Sequence, residues 1–262
     1  MVWKFSDHVR GLKRSPKISD FVLLNRQWWT DLWLNEGFAT YVASLGVAFL
    51  HPEWKSLDEE SVDNTLDIFK FDALKASHPV SVEIGHPNQI SQIFDAISYS
   101  KGSVIIRMMH KFLGEESFQN GVSSYLHKHK YANAKQDDLW AALTEVAHDN
   151  QALPKELTVK EIMDGWTLQV GYPIITVERD YDTHSAKITQ KRYLTDRYTT
   201  RSDTDFCWWI PLTYTNAEKK DFNVTHVSCQ KFSSTFSAKF KFFSGSGLGS
   251  LRERPNTSVN EA

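Results

Sequence analysis

The chain has 262 residues, 30 Lys and Arg against 32 Asp and Glu, and a formal net charge of −2. That near-neutral balance argues against a nucleic-acid partner, which favours a basic stripe. A hydrophobic content of 41 %, with nine Trp and sixteen Phe, reads as globular rather than disordered, and the length suffices for one large domain or two smaller ones.

Residues 1 to 26 form a divergent segment. Its opening, MVWKFSDHVRGLKRSPK, has no apolar run of signal-peptide length. Lys13, Arg14 and Lys17 read as a solvated charged face, and Asp20 to Leu24 as a short strand or helix turn. From Trp28 to about Gly165 the pattern is helical. Asn35 is the expected N-cap of the first helix, because its side-chain oxygen can accept from a first-turn N–H. Phe38, Tyr41, Val42, Leu45 and Phe49 then recur on one face, and Pro52 stops the helix by His51. Glu36, in the expected first turn, is ordinarily explained by the helix dipole.

Ile93, Phe94 and Ile97 mark a short amphipathic stretch. Tyr99 opens a longer run with Val104, Ile105, Met108, Met109, Phe112 and Leu113 inward, closed by Gly114. The methionines read as core filler, and His110, in this amphipathic helix, as a boundary residue rather than a ligand. Further helices are expected over Phe118–Leu126 and Asp137–Val146, and from Thr158 to Leu168, where Thr158 and Glu161 form a capping box. His127 and His129, at i and i+2, face apart on a solvated helix end. After Pro173 the period changes: IITVERD and KITQKRYL read as strands joined by a hairpin loop, and CWWIPLTYT as an edge strand because of Pro211. From Val224 to Ala262 the sequence is rich in Ser, Phe and Gly without a period, and reads as a weakly structured tail.

Two cysteines, Cys207 and Cys229, rule out a Cys-based metal site by count and do not imply a disulfide framework; a bridge between them is only weakly suggested. The longest apolar run, VASLGVAFL, is too short to span a membrane. Sequons at Asn223 and Asn256 matter only in a secreted protein. GSGLGS neither follows a strand nor opens a helix, so it is no phosphate loop.

Three blocks in order carry a resemblance: WWTDLWLNEGFATY from Trp28, FDAISYSKGSVIIR from Phe94, and WTLQVGYPIITV from Trp166. They resemble the M1 family of zinc aminopeptidases, the aminopeptidase N group, over roughly Gln27 to Asn223. The resemblance implies an α+β fold. Residues 27–170 would be the mainly helical C-terminal part of a thermolysin-like (gluzincin) catalytic domain, and residues 171–223 the first strands of a β-sandwich. It makes Glu36 the third zinc ligand and Tyr99 the catalytic tyrosine whose hydroxyl stabilises the oxyanion. Asp31 and Asn35 would stand beside the ligand as hydrogen-bond partners.

The same resemblance exposes a gap. The family's other ligands lie in HExxH, with eighteen residues between its second His and the ligand Glu. Counting back from Glu36 puts Lys13, Arg14 and Lys17 where the first His, the general-base Glu and the second His belong. Arg and protonated Lys have no lone pair to give a metal. HExxH and the family's GxMEN segment are absent from all 262 residues.

The implied function is zinc-dependent release of N-terminal amino acids from peptides. This chain is expected to be inactive alone and to hold no zinc by itself. The rival readings are a non-catalytic partner or decoy of full-length aminopeptidase, or an unstable truncated product. Family members are commonly anchored outside the cell, and nothing in this chain assigns its own location.

Overall fold

The computed structural model describes residues 25–26, 29–180, 182, 185–196, 206–213, 224–227 and 234–236. Lys13, Arg14, Lys17 and Cys229 lie outside the described residues. Six helices make the body: α1 Leu32–Leu50, α2 Ser56–Asp72, α3 Gly102–Leu113, α4 Glu115–Lys128, α5 Gln136–Asp149 and α6 Val159–Thr167. A π turn, Ile97–Lys101, runs directly into α3.

Helix α1 starts four residues earlier than its cap signal suggests. Asp31 occupies the N-cap position and Asn35 points outward, exposed. The reason is burial. Leu32 packs with Ile84 and Ile93 in a satellite cluster, while Trp33 and Leu34 enter the main core. Three consecutive buried side chains hold the first turn helical, and tertiary packing outweighs local capping. At the other end His51 is the C-cap before Pro52, as proline requires. The expected apolar face fades along its length, and Phe49 lies 47 % exposed.

The core gathers Trp33, Phe38 and Tyr41 from α1, Ile106 and Met109 from α3, and Leu139, Trp140 and Leu143 from α5. Helix α3 ends on Gly114, whose φ of +78° suits glycine and little else. Helix α6 opens on the predicted box: Thr158 Oγ1 accepts from the Glu161 N–H at 3.2 Å, and Glu161 accepts from the Thr158 N–H at 2.8 Å. Helix α2 is the exception to good coverage. Among its described side chains only Ile68 and Asp72 are buried.

Seven strands fall among the described residues. A two-residue parallel pair joins β1 (Asn25–Arg26) to β2 (Asn133–Ala134). Strands β3 (Pro173–Asp180) and β4 (Ser185–Arg192) form the expected antiparallel hairpin. Strand β5 (Ile210–Thr213) pairs with β6 (Val224–Val227), and β7 (Ser234–Phe236) adds to β4. The last two fall where the sequence reads as weakly structured. Runs of four and three residues are too short to display the two-residue period by which a strand is recognised.

The sheet is stitched to the helices by side chains that imitate strand pairing. Gln169 accepts from the Cys207 N–H at 3.1 Å and donates to its carbonyl at 2.7 Å. Gln190 does the same to Trp208, at 2.9 and 3.0 Å. Cys207 is itself disulfide-bonded.

Helices α1 and α3 meet through two glycines. A Cβ added to Gly37 would lie 2.9 Å from the Gly102 carbonyl carbon, and one added to Gly102 would lie 3.2 Å from the Gly37 Cα. Both obstacles are backbone, so neither can swing away. Gly37→Ala should therefore lower stability by ~1–3 kcal/mol, the usual cost of overpacking. Gly46, in the same helix with nothing within 4 Å of its added Cβ, supplies the control. Gly46→Ala should stabilise by ~0.5–1 kcal/mol, the helix-propensity gain. Urea melts of the two variants check both signs.

Candidate functional site

Glu36 stands in the second turn of α1, half-buried, one residue before the Gly37 contact. Its carbonyl accepts from Thr40 Oγ1 at 2.8 Å, and its carboxylate makes no hydrogen bond or ion pair among the described residues. The dipole explanation weakens with this placement, because that effect fades beyond the first turn. Tyr99, also half-buried, lies in the π turn that packs directly on α1. Its N–H donates to the Asp95 carbonyl at 3.1 Å. The fold thus brings the two segments bearing Glu36 and Tyr99 together at the glycine contact. A π turn is itself a local departure that recurs at functional sites.

Two polar anchors hold this turn and a third locks α1 to α3, and none announces itself in the sequence. The first is a buried ion pair: Lys101 Nζ lies 2.7 Å from Asp72 Oδ2, with side-chain exposures of 5 % and 2 %. Lys101 also donates to the Gly171 carbonyl at 2.9 Å, and Ser77 Oγ donates to Asp72 at 2.6 Å. Helix α2, the π turn and the entry to β3 therefore share one knot. Burial pulls the Lys101 ammonium below its ordinary value, while Asp72 pulls it back up.

The second anchor is Asp95, whose Oδ1 accepts from the N–H groups of Ile97 at 3.0 Å and Ser98 at 3.1 Å. It caps the π turn, and its Oδ2 pairs with His78 Nε2 at 2.7 Å. The hydrogen bond that His78 donates to Asp95 raises the imidazole above its ordinary value. Burial pushes the Asp95 carboxyl upward, but His78 and the two backbone donors outweigh it and hold it low.

The third anchor is His110. Its Nδ1 lies 2.6 Å from the Tyr41 hydroxyl and its Nε2 lies 2.7 Å from Glu115. One tautomer satisfies both: Nε2–H donates to the carboxylate and Nδ1 accepts from the phenol. The expected boundary histidine is instead buried, and burial lowers its ordinary value although Glu115 opposes this. Its ring stacks on Phe118 at 4.3 Å. With the Tyr41 ring also buried, the arrangement locks α1 to α3 and offers no accessible nucleophile.

Asp31 is engaged at the start of α5. Asp31 Oδ2 accepts from the Gln136 N–H at 3.4 Å and so receives a free donor at the start of α5. Burial raises its carboxyl above the ordinary value. Asn35 is exposed. Among the described residues His127 bonds within its own helix end, at Ser123, as a solvated terminus would.

A zinc ion needs three protein ligands and an open fourth position for hydrolysis. Among the described residues no group of three His, Cys, Asp or Glu converges to hold a metal. The ligand set the ion needs is therefore not assembled among the described residues.

Residues 22–166 match the model of the peptidase family M1 domain. The chain is 40 % identical over 202 residues to glutamyl aminopeptidase of Bos taurus, covering 76 % of this chain and 20 % of that protein. It is 42 % identical over 197 residues to aminopeptidase N of Homo sapiens, covering 73 % of this chain and 20 % of that protein. To aminopeptidase M1-D of Oryza sativa subsp. japonica it is 41 % identical over 191 residues, with coverages of 73 % and 20 %. The chain belongs to peptidase family M1. It spans about a fifth of the length of the curated relatives it matches. Among the described residues no helix is long and apolar enough to cross a membrane.

Two outcomes follow from the anchors. Lys101→Met should cost ~3–5 kcal/mol by leaving Asp72 buried and unpaired. The double variant Lys101→Met, Asp72→Leu should recover much of that loss, and a double-mutant cycle in urea measures the coupling.

The His78–Asp95 pair predicts a pH window. His78 is raised above 6.5, so its contribution is complete below 6.5 and is lost as pH rises through the folded value. Asp95 is lowered from 3.8, so its contribution holds above 3.8 and is lost as pH falls through the folded value. Stability should therefore be highest between these limits. His78→Gln should flatten the decline on the alkaline side, by less than ~1 kcal/mol because both groups are partly solvated. Denaturation midpoints against pH check the sign.

Proposed function

We propose that this chain carries the C-terminal part of a thermolysin-like M1 catalytic domain, residues 27–170, followed from residue 171 by the opening of a β-sandwich domain. Glu36 occupies the position of the family's third zinc ligand, and Tyr99 that of its oxyanion-stabilising tyrosine. By itself the chain does not cleave peptides. The reading is carried by one observation: Lys13, Arg14 and Lys17 stand where the two histidines and the general base belong, counted from Glu36. A lone carboxylate gives zinc neither the geometry nor the borderline-soft nitrogen donors that hold it.

The consequences for Tyr99 are direct. A preorganised phenol facing developing negative charge contributes a few kcal/mol only where an oxyanion forms. With no activated water and no base, none forms beside it. The whole-family activity, release of N-terminal amino acids from peptides, supplies the substrate class toward which this half-site is shaped.

The purified chain should show no turnover of fluorogenic alanyl or leucyl substrates, with or without added zinc. Chelator-sensitive turnover lost in both Glu36→Ala and Tyr99→Phe would overturn the reading.

A further inference from the structure

Asp95 holds three consecutive N–H groups of the π turn. Its Oδ1 accepts from Ile97 and Ser98, at 3.0 and 3.1 Å, and its carbonyl accepts from Tyr99 at 3.1 Å. Ile97 is 4 % exposed and Ser98 1 %, so water is no ready substitute for these acceptors. Whatever fixes the Asp95 side chain therefore fixes the backbone that carries Tyr99. Its second oxygen, Oδ2, has His78 Nε2 at 2.7 Å.

The surroundings of His78 dictate its charge. Its Nδ1 lies 2.7 Å from the Pro79 carbonyl oxygen, which accepts and cannot donate. The Asp95 carboxyl is held low, so in its ionised form it also only accepts. Both ring nitrogens must then carry hydrogen, and only the imidazolium does so. A neutral ring would set a nitrogen lone pair against one of these oxygens at 2.7 Å. The ring is also tied to a fixed strip of chain. Val80 is buried in the core, and the Ser81 N–H donates to the Thr167 carbonyl, at the end of α6, at 2.9 Å. Asp95 and Lys101 are the charged groups that act on the ring. Lys101 opposes the imidazolium, but it is paired with Asp72 at 2.7 Å, and Asp95 prevails.

We propose that His78, as an imidazolium, is a positioning residue for Tyr99: it holds Asp95 on the π turn, and loss of its proton loosens the turn. Protonated, His78 gives Asp95 a charge-assisted bond. Deprotonated, the ring must swing from Pro79 or from Asp95, and any bond that survives to Asp95 is about half as strong. The catalytic meaning of this coupling rests on the reading of Tyr99 as the oxyanion-stabilising tyrosine. The coupling itself does not, and it needs neither zinc nor substrate.

The test is an NMR titration of the full chain from about pH 5.5 to 8.5, which spans the histidine range, with 15N in the backbone and histidines and 13C in the tyrosine rings. Both His78 nitrogens should carry hydrogen at the acid end, and one should lose it in a titration above the ordinary histidine value. The Tyr99 ring signal should shift along the same titration. The Ile97 and Ser98 amides should lose about fivefold in exchange protection, beyond the rise in rate that base catalysis gives every amide. The Met109 amide, in the core part of α3, should show only that general rise. In His78→Gln the Tyr99 signal and both amides should lose this pH dependence. A neutral His78 at the acid end, a Tyr99 signal that ignores the titration, or an unchanged profile in His78→Gln would each overturn the proposal. The native titration decides by itself if the variant does not fold. An error in the peptidase reading would leave all of these signals as they are, because no turnover is measured.

Discussion

The contact between Gly37 and Gly102 is the constraint on which the rest depends. Helices separated by ordinary side chains cannot bring one backbone against another, and a Cβ at either position meets main-chain atoms. Here the segment bearing Glu36 and the π turn bearing Tyr99 lie on the two sides of that contact. The neighbouring polar anchors then fix what the glycines allow. Lys101 and Asp72 draw α2 and Gly171 to the turn, Asp95 caps its free N–H groups, and Tyr41 with His110 pins the next turns of α1 and α3.

This framework is built with more care than a lone carboxylate requires. A buried ion pair and a capped π turn each cost desolvation or backbone regularity, and they hold a geometry as much as they add stability. The framework and the metal chemistry are separable. The first depends on residues from Trp33 to Gly171, which the chain has; the second depends on nitrogen donors upstream of Glu36, where it has lysines and an arginine. On the proposed reading, family membership accompanies a half-site whose groups have no metal to act on.

Local signals in the sequence located the helix ends marked by a special residue. Pro52, Gly114 and the Thr158–Glu161 box each act through a steric or hydrogen-bonding demand of a few adjacent residues, and each stands where expected. The hairpin of β3 and β4 was equally legible, since eight-residue strands show their period. Asn35 misled because its capping signal is local, whereas burial of Leu32, Trp33 and Leu34 is not. The pairs Lys101–Asp72, His78–Asp95 and Tyr41–His110 were invisible for the same reason. Each joins residues 17 or more apart in sequence, and their types alone read as surface charge or boundary polarity.

The most direct measurement is a zinc titration of the purified chain against a competing chelator, beside Glu36→Ala. The account predicts identical curves for the two proteins and less than stoichiometric zinc after dialysis. A tight site of one zinc per chain that Glu36→Ala abolishes would contradict it, and would require nitrogen donors from elsewhere in the chain to complete the coordination.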